Sequence, residues 1–126
     1  MRTDVDSAST TPRPVVHLEL HTGDKAAAAA FYEQLFGWRS ELIETPAGDY
    51  LALDLGSGPE GGIVECPIGS ARWLPYVEVD RVDEVTARAE RLGARVILAP
   101  REGPGGWRSV VSVPCAGEIA LWQPKR

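Results

Sequence analysis

The sequence predicts a single α+β domain, built from two tandem βαβββ modules whose mixed sheets form a cup. One observation is an alternating strand that leads into an alanine-rich helix, at 15–36. Another is that the same order of strand, helix and three strands recurs in the second half of the chain. The length of 126 residues suits one sizeable core and is too short for two.

The first module is predicted over residues 14–66. Its opening strand alternates aliphatic and polar side chains, so one face is apolar and the other is polar. The polar face carries two imidazoles and a carboxylate, from His17, Glu19 and His21. Asp24 is predicted to cap the helix and Gly37 to end it. Three further strands are predicted at 38–44, 50–55 and 62–66.

The second module is predicted over residues 73–126, after a linker at 67–72 and with a disordered tail at 1–13. Its strands are predicted at 73–79, 95–98, 107–113 and 118–122, and its helix at 82–92. One constant offset pairs Asp24 with Asp80 and Gly37 with Gly93. The same offset aligns Trp73 with His17, which predicts that Trp73 faces the cup.

Composition excludes several classes of function. The net charge is -5 and no run of basic residues is present, so nucleic acid and anionic membranes are not expected partners. Cys66 and Cys115 are too few for a disulfide framework, and no histidine lies near Cys115 in the sequence, so neither is predicted to be a nucleophile. The N-terminus is polar, without the apolar run of a signal peptide, which predicts a cytoplasmic protein.

Four segments carry a resemblance to a known family: 17–24, 31–38, 73–80 and 118–124. They resemble the vicinal oxygen chelate (VOC) superfamily, the group of glyoxalase I, bleomycin-resistance proteins and extradiol dioxygenases. The resemblance covers nearly everything after Arg13. Within this superfamily the sequence especially resembles an actinobacterial branch labelled glyoxalase, bleomycin-resistance or hydroxylase proteins. It implies the two-module fold, and a homodimer whose crevices draw on both subunits.

The resemblance also shows which positions would hold a metal, so the residues at those positions can be checked. The family's metal enzymes place ligands at the start of the first strand and on the fourth strand of each module. His17 stands at one such position, but Trp73 and Ala120 stand at two others and bind no metal. The remaining position is Val64 or Glu65. Because a catalytic divalent ion needs at least three protein donors, no metal and no cofactor are expected; if a metal binds, His17 and Glu65 would hold it.

An apolar, flat-walled pocket is expected in place of the metal site, because tryptophan faces stack on planar ligands. The residues predicted to bind such a ligand are His17, Glu19, Trp38, Tyr50, Trp73, Trp107, Arg108 and Trp122. Core packing is the alternative for Trp38 and Trp107. His21 is predicted to be a surface or helix-start contact. The loop at 100–106 is either a lid over the cup or a plain connection between strands.

Three functional hypotheses follow. The first is a bleomycin-resistance type of protein that sequesters an aromatic, polycyclic or bulky natural product without changing it, so that no residue is catalytic. The second is an enzyme of the same superfamily that uses His17 as an acid or base, with or without a metal. The third is a dimeric scaffold without a ligand, which is the least favoured because an empty polar cup costs stability.

Overall fold

A computed structural model describes residues 11–67 and 71–125. Most of the tail predicted at 1–13 and the middle of the linker predicted at 67–72 lie outside these residues. The described part contains the predicted order of elements. They are β1 (Val15–Thr22), α1 (Lys25–Phe36), β2 (Ser40–Thr45), β3 (Gly48–Leu53), β4 (Glu60–Glu65), β5 (Arg72–Glu78), α2 (Val82–Arg91), β6 (Arg95–Glu102), β7 (Gly106–Val113) and β8 (Gly117–Pro124).

The strands form one mixed sheet of eight, in the order β2-β3-β4-β1-β5-β8-β7-β6. The two modules meet where β1 pairs antiparallel with β5. Within each module the first and fourth strands pair in parallel, β1 with β4 and β5 with β8. The α+β class and the two tandem modules are therefore confirmed, and a single sheet joins both modules.

The two helices begin in different ways. Asp24 caps α1 as predicted, because its Oδ1 accepts a hydrogen bond from the backbone of Ala27 at 3.0 Å, and Gly37 ends the helix with φ of 74°. Arg81 precedes α2 without a side-chain cap. The first backbone N–H of α2, at Val82, instead donates to Oε1 of Gln123 on β8 at 2.8 Å. Neither helix of the described segments has the length and apolar character needed to cross a bilayer.

Both helices pack on the same face of the sheet, which we call the helix face. Alternating side chains of the strands bury against them in two clusters. The cluster at α1 joins Leu20, Leu53 and Ile63 of the strands to Ala29 of the helix. The cluster at α2 joins Leu121 of β8 to Val82 of the helix and to Val79, which follows β5.

The opposite face, which we call the open face, carries no helix of the described segments. It nevertheless buries a third cluster, made of Leu74, Tyr76, Val110 and Ala120, which are 0–7% exposed. With no helix to cover them, these side chains reach such burial only if the sheet curls so that its own strands shield them. The open face is therefore the interior of the predicted cup.

Candidate functional site

A hydrogen-bonded polar cluster lies on the open face, across β1, β5 and β7. Oε1 of Glu19 accepts a hydrogen bond from the hydroxyl of Tyr76 at 2.9 Å and lies 2.8 Å from Nε2 of His21. Nη1 of Arg108 donates to the same Tyr76 hydroxyl at 2.9 Å. We call this set, together with the adjacent His17, the Glu19 cluster: His17, Glu19, His21, Tyr76 and Arg108.

His17 is held by three neighbours. Its Nε2 lies 3.8 Å from Oε2 of Glu19, and its ring meets that of Tyr76 edge to face, with centroids 5.1 Å apart. The ring also lies close to Gly62 on β4, where an added Cβ would come within 3.3 Å of Cε1 and Nε2. A larger residue at 62 would push the imidazole aside, so the glycine leaves room for His17 in this position.

The electrostatics assign different roles to Glu19 and Tyr76. Burial alone would raise the pKa of Glu19, but the contacts from His17, His21 and Tyr76 outweigh it and lower that pKa to about 2. Burial, followed by the negative charge of Glu19, raises the pKa of Tyr76 to about 12. Glu19 is therefore a carboxylate at neutral pH, and too weak a base to take protons from most substrates. Tyr76 stays a hydrogen-bond donor.

Five of the eight predicted ligand-binding residues share the open face. Cross-strand partners lie on the same side of a sheet, and His17 pairs with Tyr76 while Arg108 pairs with Trp122. The indole of Trp122 lies 6.4 Å from the ring of Tyr76. The five are His17, Glu19, Tyr50, Arg108 and Trp122.

The prediction that Trp73 faces the cup is wrong. Trp73 pairs with Leu20 on the helix face, and its ring lies 5.6 Å from Tyr32 and 6.3 Å from Trp38. The cause is the alignment of the two modules. The residue that directly precedes each helix is Asp24 in the first module and Arg81 in the second, so the helix starts align Asp24 with Arg81 rather than with Asp80. A shift of one residue moves every side chain of a strand to the other face.

Trp38 and Trp107, for which core packing was the alternative to ligand binding, both pack in the core. Trp38 stacks on Tyr32 of α1, with ring centroids 5.4 Å apart. Trp107 packs against the cluster under α2, with the ammonium of Lys125 5.8 Å from its ring centroid. Trp122 is thus the one of the four tryptophans that lies on the open face, so the described residues of one chain bring a single indole to the expected pocket.

The loop predicted at 100–106 is a short connection. Strand β6 continues to Glu102, so only residues 103–105 link it to β7. Gly103 donates to the carbonyl of Gly106 at 2.7 Å, and Lys125 donates to that of Gly105 at 3.0 Å. These backbone hydrogen bonds favour the plain connection over the lid.

Two members of the Glu19 cluster, Tyr76 and His21, are not among the residues predicted to bind a ligand. An alignment of the modules on their helix starts would have matched Tyr76 with Glu19 and revealed it as an open-face residue. His21 is predicted to be a surface or helix-start contact, but its side chain instead lies 2.8 Å from that of Glu19 and is only 16% exposed. The alternation of β1 already places His21 and Glu19 on one face, and that was the available signal.

The donor set does not fit a divalent metal held in the family manner. Strand β4 turns Val64 to the open face, where it pairs with His21. Glu65 lies on the other side and accepts a hydrogen bond from the backbone of Lys25 at the start of α1, at 3.0 Å. The pair His17 and Glu65 therefore cannot share an ion. The described residues contain no group of three or more His, Cys, Asp or Glu side chains arranged to hold one.

A cavity of about 520 Å³ lies outside the cluster. It is bounded by residues 39–41 and 52–61, at the ends of β2, β3 and β4, and includes no member of the Glu19 cluster. The Glu19 cluster and this cavity are therefore separate sites.

Two βαβββ modules joined through β1 and β5, with the polar cluster on the face opposite the helices, define a protein of the VOC fold. A family model described as a glyoxalase-like domain matches residues 8–120. The chain belongs to the glyoxalase-like domain family.

Two relatives show how the chain compares with longer proteins. "Putative glyoxylase CFP32" of Mycobacterium tuberculosis (strain CDC 1551 / Oshkosh) is 30% identical over 117 residues, covering 86% of this chain and 45% of that protein. "Anthracycline biosynthesis protein DnrV" of Streptomyces peucetius is 28% identical over 123 residues, covering 83% and 45%. The chain spans about half the length of the curated relatives it matches.

Solved structures agree on the fold. Methylmalonyl-CoA epimerase from Mycobacterium tuberculosis has a TM-score of 0.62 at 15% identity, covering 90% of this chain and 89% of its own. The hypothetical protein BH1468 from Bacillus halodurans C-125 has a TM-score of 0.68 at 12% identity, covering 92% and 97%. Identities this low support the architecture alone.

Proposed function

We propose that the open face binds a small planar molecule that carries a carbonyl or anionic oxygen, and holds it unchanged without a metal. The observation that carries this proposal is the line of hydrogen bonds from Arg108 through Tyr76 to Glu19, beside the ring of Trp122. The guanidinium supplies a fixed positive group, and the indole supplies a flat apolar surface.

Arg108 is the group expected to meet the ligand oxygen. A guanidinium carries five N–H donors, and the contact with Tyr76 uses only part of this capacity. Glu19 accepts from the other side of the Tyr76 hydroxyl, so the tyrosine is fixed between the two charges. Hydrogen bonds from a charged donor are stronger than neutral ones, and a positioned guanidinium suits a carbonyl or carboxylate.

Trp122 is the group expected to stack on the planar part of the ligand. Its indole lies on the open face and is only half-buried, so part of the ring is accessible to a ligand. Aromatic pairs contribute about 0.5 to 1.5 kcal/mol beyond the area that they bury. One stacking surface and one cation favour an oxygenated aromatic ligand over a purely apolar one. The anthracycline pathway in the name of the DnrV relative suggests a probe of that kind.

Tryptophan fluorescence tests this proposal directly. Titration with an anthracycline aglycone is expected to quench the fluorescence saturably, and mass spectrometry is expected to recover the aglycone unchanged. Trp122→Phe should abolish most of the saturable quenching, because that indole lies on the open face. Trp107→Phe is the matched control and should keep it, since Trp107 packs under α2. Equal quenching in both variants would mean that the ligand binds elsewhere.

The second candidate function is acid–base catalysis by His17. The observation that favours it is the position of His17, one-quarter exposed and fixed against Glu19, Tyr76 and Gly62. A fixed imidazole within reach of a ligand can serve as a general acid or base. Recovery of a modified ligand, or of a ligand that has taken up solvent deuterium only when His17 is present, would support this candidate over sequestration.

We also propose a homodimer, with the outer surface of α1 as the contact to a second copy. Phe31, Leu35 and Phe36 are each more than half exposed on this helix, which is apolar on nearly all sides. Such a surface on a helix usually marks an interface. The Glu19 cluster lies within one chain, so the proposed ligand site does not require the partner.

Light scattering after gel filtration tests the dimer. The unmodified protein is expected at twice the mass of one chain, and the double variant Phe31→Glu, Leu35→Glu at the mass of one. Leu92→Glu is the control, since Leu92 is 77% exposed at the end of the other helix. A double variant that remains dimeric would show that α1 is not the contact.

A further inference from the structure

The open face also holds a cysteine against the Glu19 cluster. Sγ of Cys66, which directly follows β4, lies 3.8 Å from Nδ1 of His21. The other ring nitrogen of His21, Nε2, lies 2.8 Å from Oε1 of Glu19. Cys66 and His21 are far apart in the sequence and meet because β1 and β4 pair in parallel. Distance along the chain therefore does not exclude a histidine partner for Cys66 in the folded protein.

We propose that Cys66, His21 and Glu19 form a nucleophile, base and carboxylate that make Cys66 reactive toward electrophilic carbon, such as that of an aldehyde or an alkyl halide. A nucleophile within reach of a base that a third group orients is the usual arrangement of covalent catalysis. This site goes beyond the proposed ligand binding and does not depend on it.

The arrangement assigns a separate role to each residue. The carboxylate of Glu19 lies against Nε2 of His21 and favours the tautomer that carries its N–H there, with Nδ1 as the acceptor that faces the thiol. Tyr76 donates to the same Oε1 of Glu19, and Arg108 donates to the Tyr76 hydroxyl, so both help to hold the carboxylate beside His21. The backbone N–H of Cys66 donates to the carbonyl of Thr22 at 2.8 Å, which fixes the cysteine beside the end of β1.

The reaction with an aldehyde balances without any further reactant. The thiol proton passes to Nδ1 of His21, and sulfur forms a bond with the carbonyl carbon as the C=O π bond breaks. The same proton then passes from His21 to the new oxygen, giving a thiohemiacetal. With iodoacetamide, sulfur bonds to the methylene carbon, iodide leaves, and His21 releases the proton to water.

The second cysteine provides a control within the same molecule. Cys115 is exposed in the turn between β7 and β8, whereas Cys66 is half-buried. Exposure alone would make Cys115 react faster. A faster reaction at Cys66 would therefore have to come from its surroundings.

The test is timed alkylation of the folded protein with iodoacetamide, read at each cysteine by peptide mass spectrometry. At pH 7 Cys66 is expected to react at least about tenfold faster than Cys115. His21→Gln should remove that advantage and leave the rate at Cys115 unchanged.

Equal or slower alkylation of Cys66 in the unmodified protein would overturn the proposal, and this result needs no variant. An unchanged Cys66 rate in folded His21→Gln would overturn it as well. The alkylation rates do not depend on whether the aglycone binds. Either proposal can therefore be contradicted while the other stands.

Discussion

Glu19→Gln is expected to lower the free energy of unfolding by about 3 kcal/mol at pH 7, although the amide keeps the shape of the side chain. The contacts from His17, His21 and Tyr76 favour the charged carboxylate over its burial cost and hold the pKa of Glu19 at about 2, against an ordinary value of 4.5. Each pH unit of difference corresponds to about 1.4 kcal/mol.

The dependence on pH has a definite sign. A carboxyl group whose pKa is lower in the folded than in the unfolded state stabilises the fold above its unfolded pKa. That contribution is lost as the pH falls from about 4.5 toward about 2, because the proton then binds the unfolded chain first. The difference between the protein and Glu19→Gln should therefore be full at pH 7 and shrink steadily below pH 4.5.

Urea unfolding across this range of pH measures the effect. Glu44→Gln is the matched control: Glu44 is exposed on β2, and its replacement should change the free energy of unfolding by less than about 0.5 kcal/mol. If Glu19→Gln were as stable as this control at pH 7, the half-buried charge of Glu19 would not stabilise the fold.

The sequence predicted the elements well because their signals are local. Asp24 and Gly37 delimit α1 through hydrogen bonding and backbone conformation that need no tertiary partner. The alternation of β1 likewise placed His17, Glu19 and His21 on one face. The second module gave weaker signals, since α2 has no side-chain cap of its own and its first N–H donates to Gln123, which is distant in the chain.

The side chains of β5 were assigned to the wrong faces of the sheet. The error shows that an internal repeat does not by itself determine the residue-by-residue alignment of the two modules. The glycines after the two helices, Gly37 and Gly93, favour one alignment of the modules, whereas the helix starts favour another that differs by a single position, because α2 is shorter than α1. Because of that single position, Trp73 was predicted on the open face, whereas the residue that lies there is Tyr76.

The contacts that complete the site could not be predicted from local patterns. Tyr76 meets Arg108 only because the sheet order places β8 between β5 and β7 and the sheet curls. Cys66 meets His21 only because β1 and β4 run in parallel with a fixed register. Both contacts depend on sheet topology rather than on residue spacing.

Arg108→Met is expected to weaken binding of the anthracycline aglycone about 10- to 100-fold. The variant keeps much of the length of the side chain and removes its charge and its N–H donors. A hydrogen bond to a charged group contributes about 1.5 to 3 kcal/mol, which corresponds to this range. Because Tyr76 still donates to Glu19, the cluster should keep its internal order. Arg91→Met, exposed at the end of α2 on the other face, is the control and should bind normally.

The most direct test of a metal-free ligand site on the open face is this titration carried out in excess EDTA. A metal-free site should give the same saturable binding by the unmodified protein with and without EDTA, full binding by Arg91→Met, and a loss of about 10- to 100-fold in Arg108→Met. Binding that disappears with EDTA, or that survives unchanged in Arg108→Met, would contradict it.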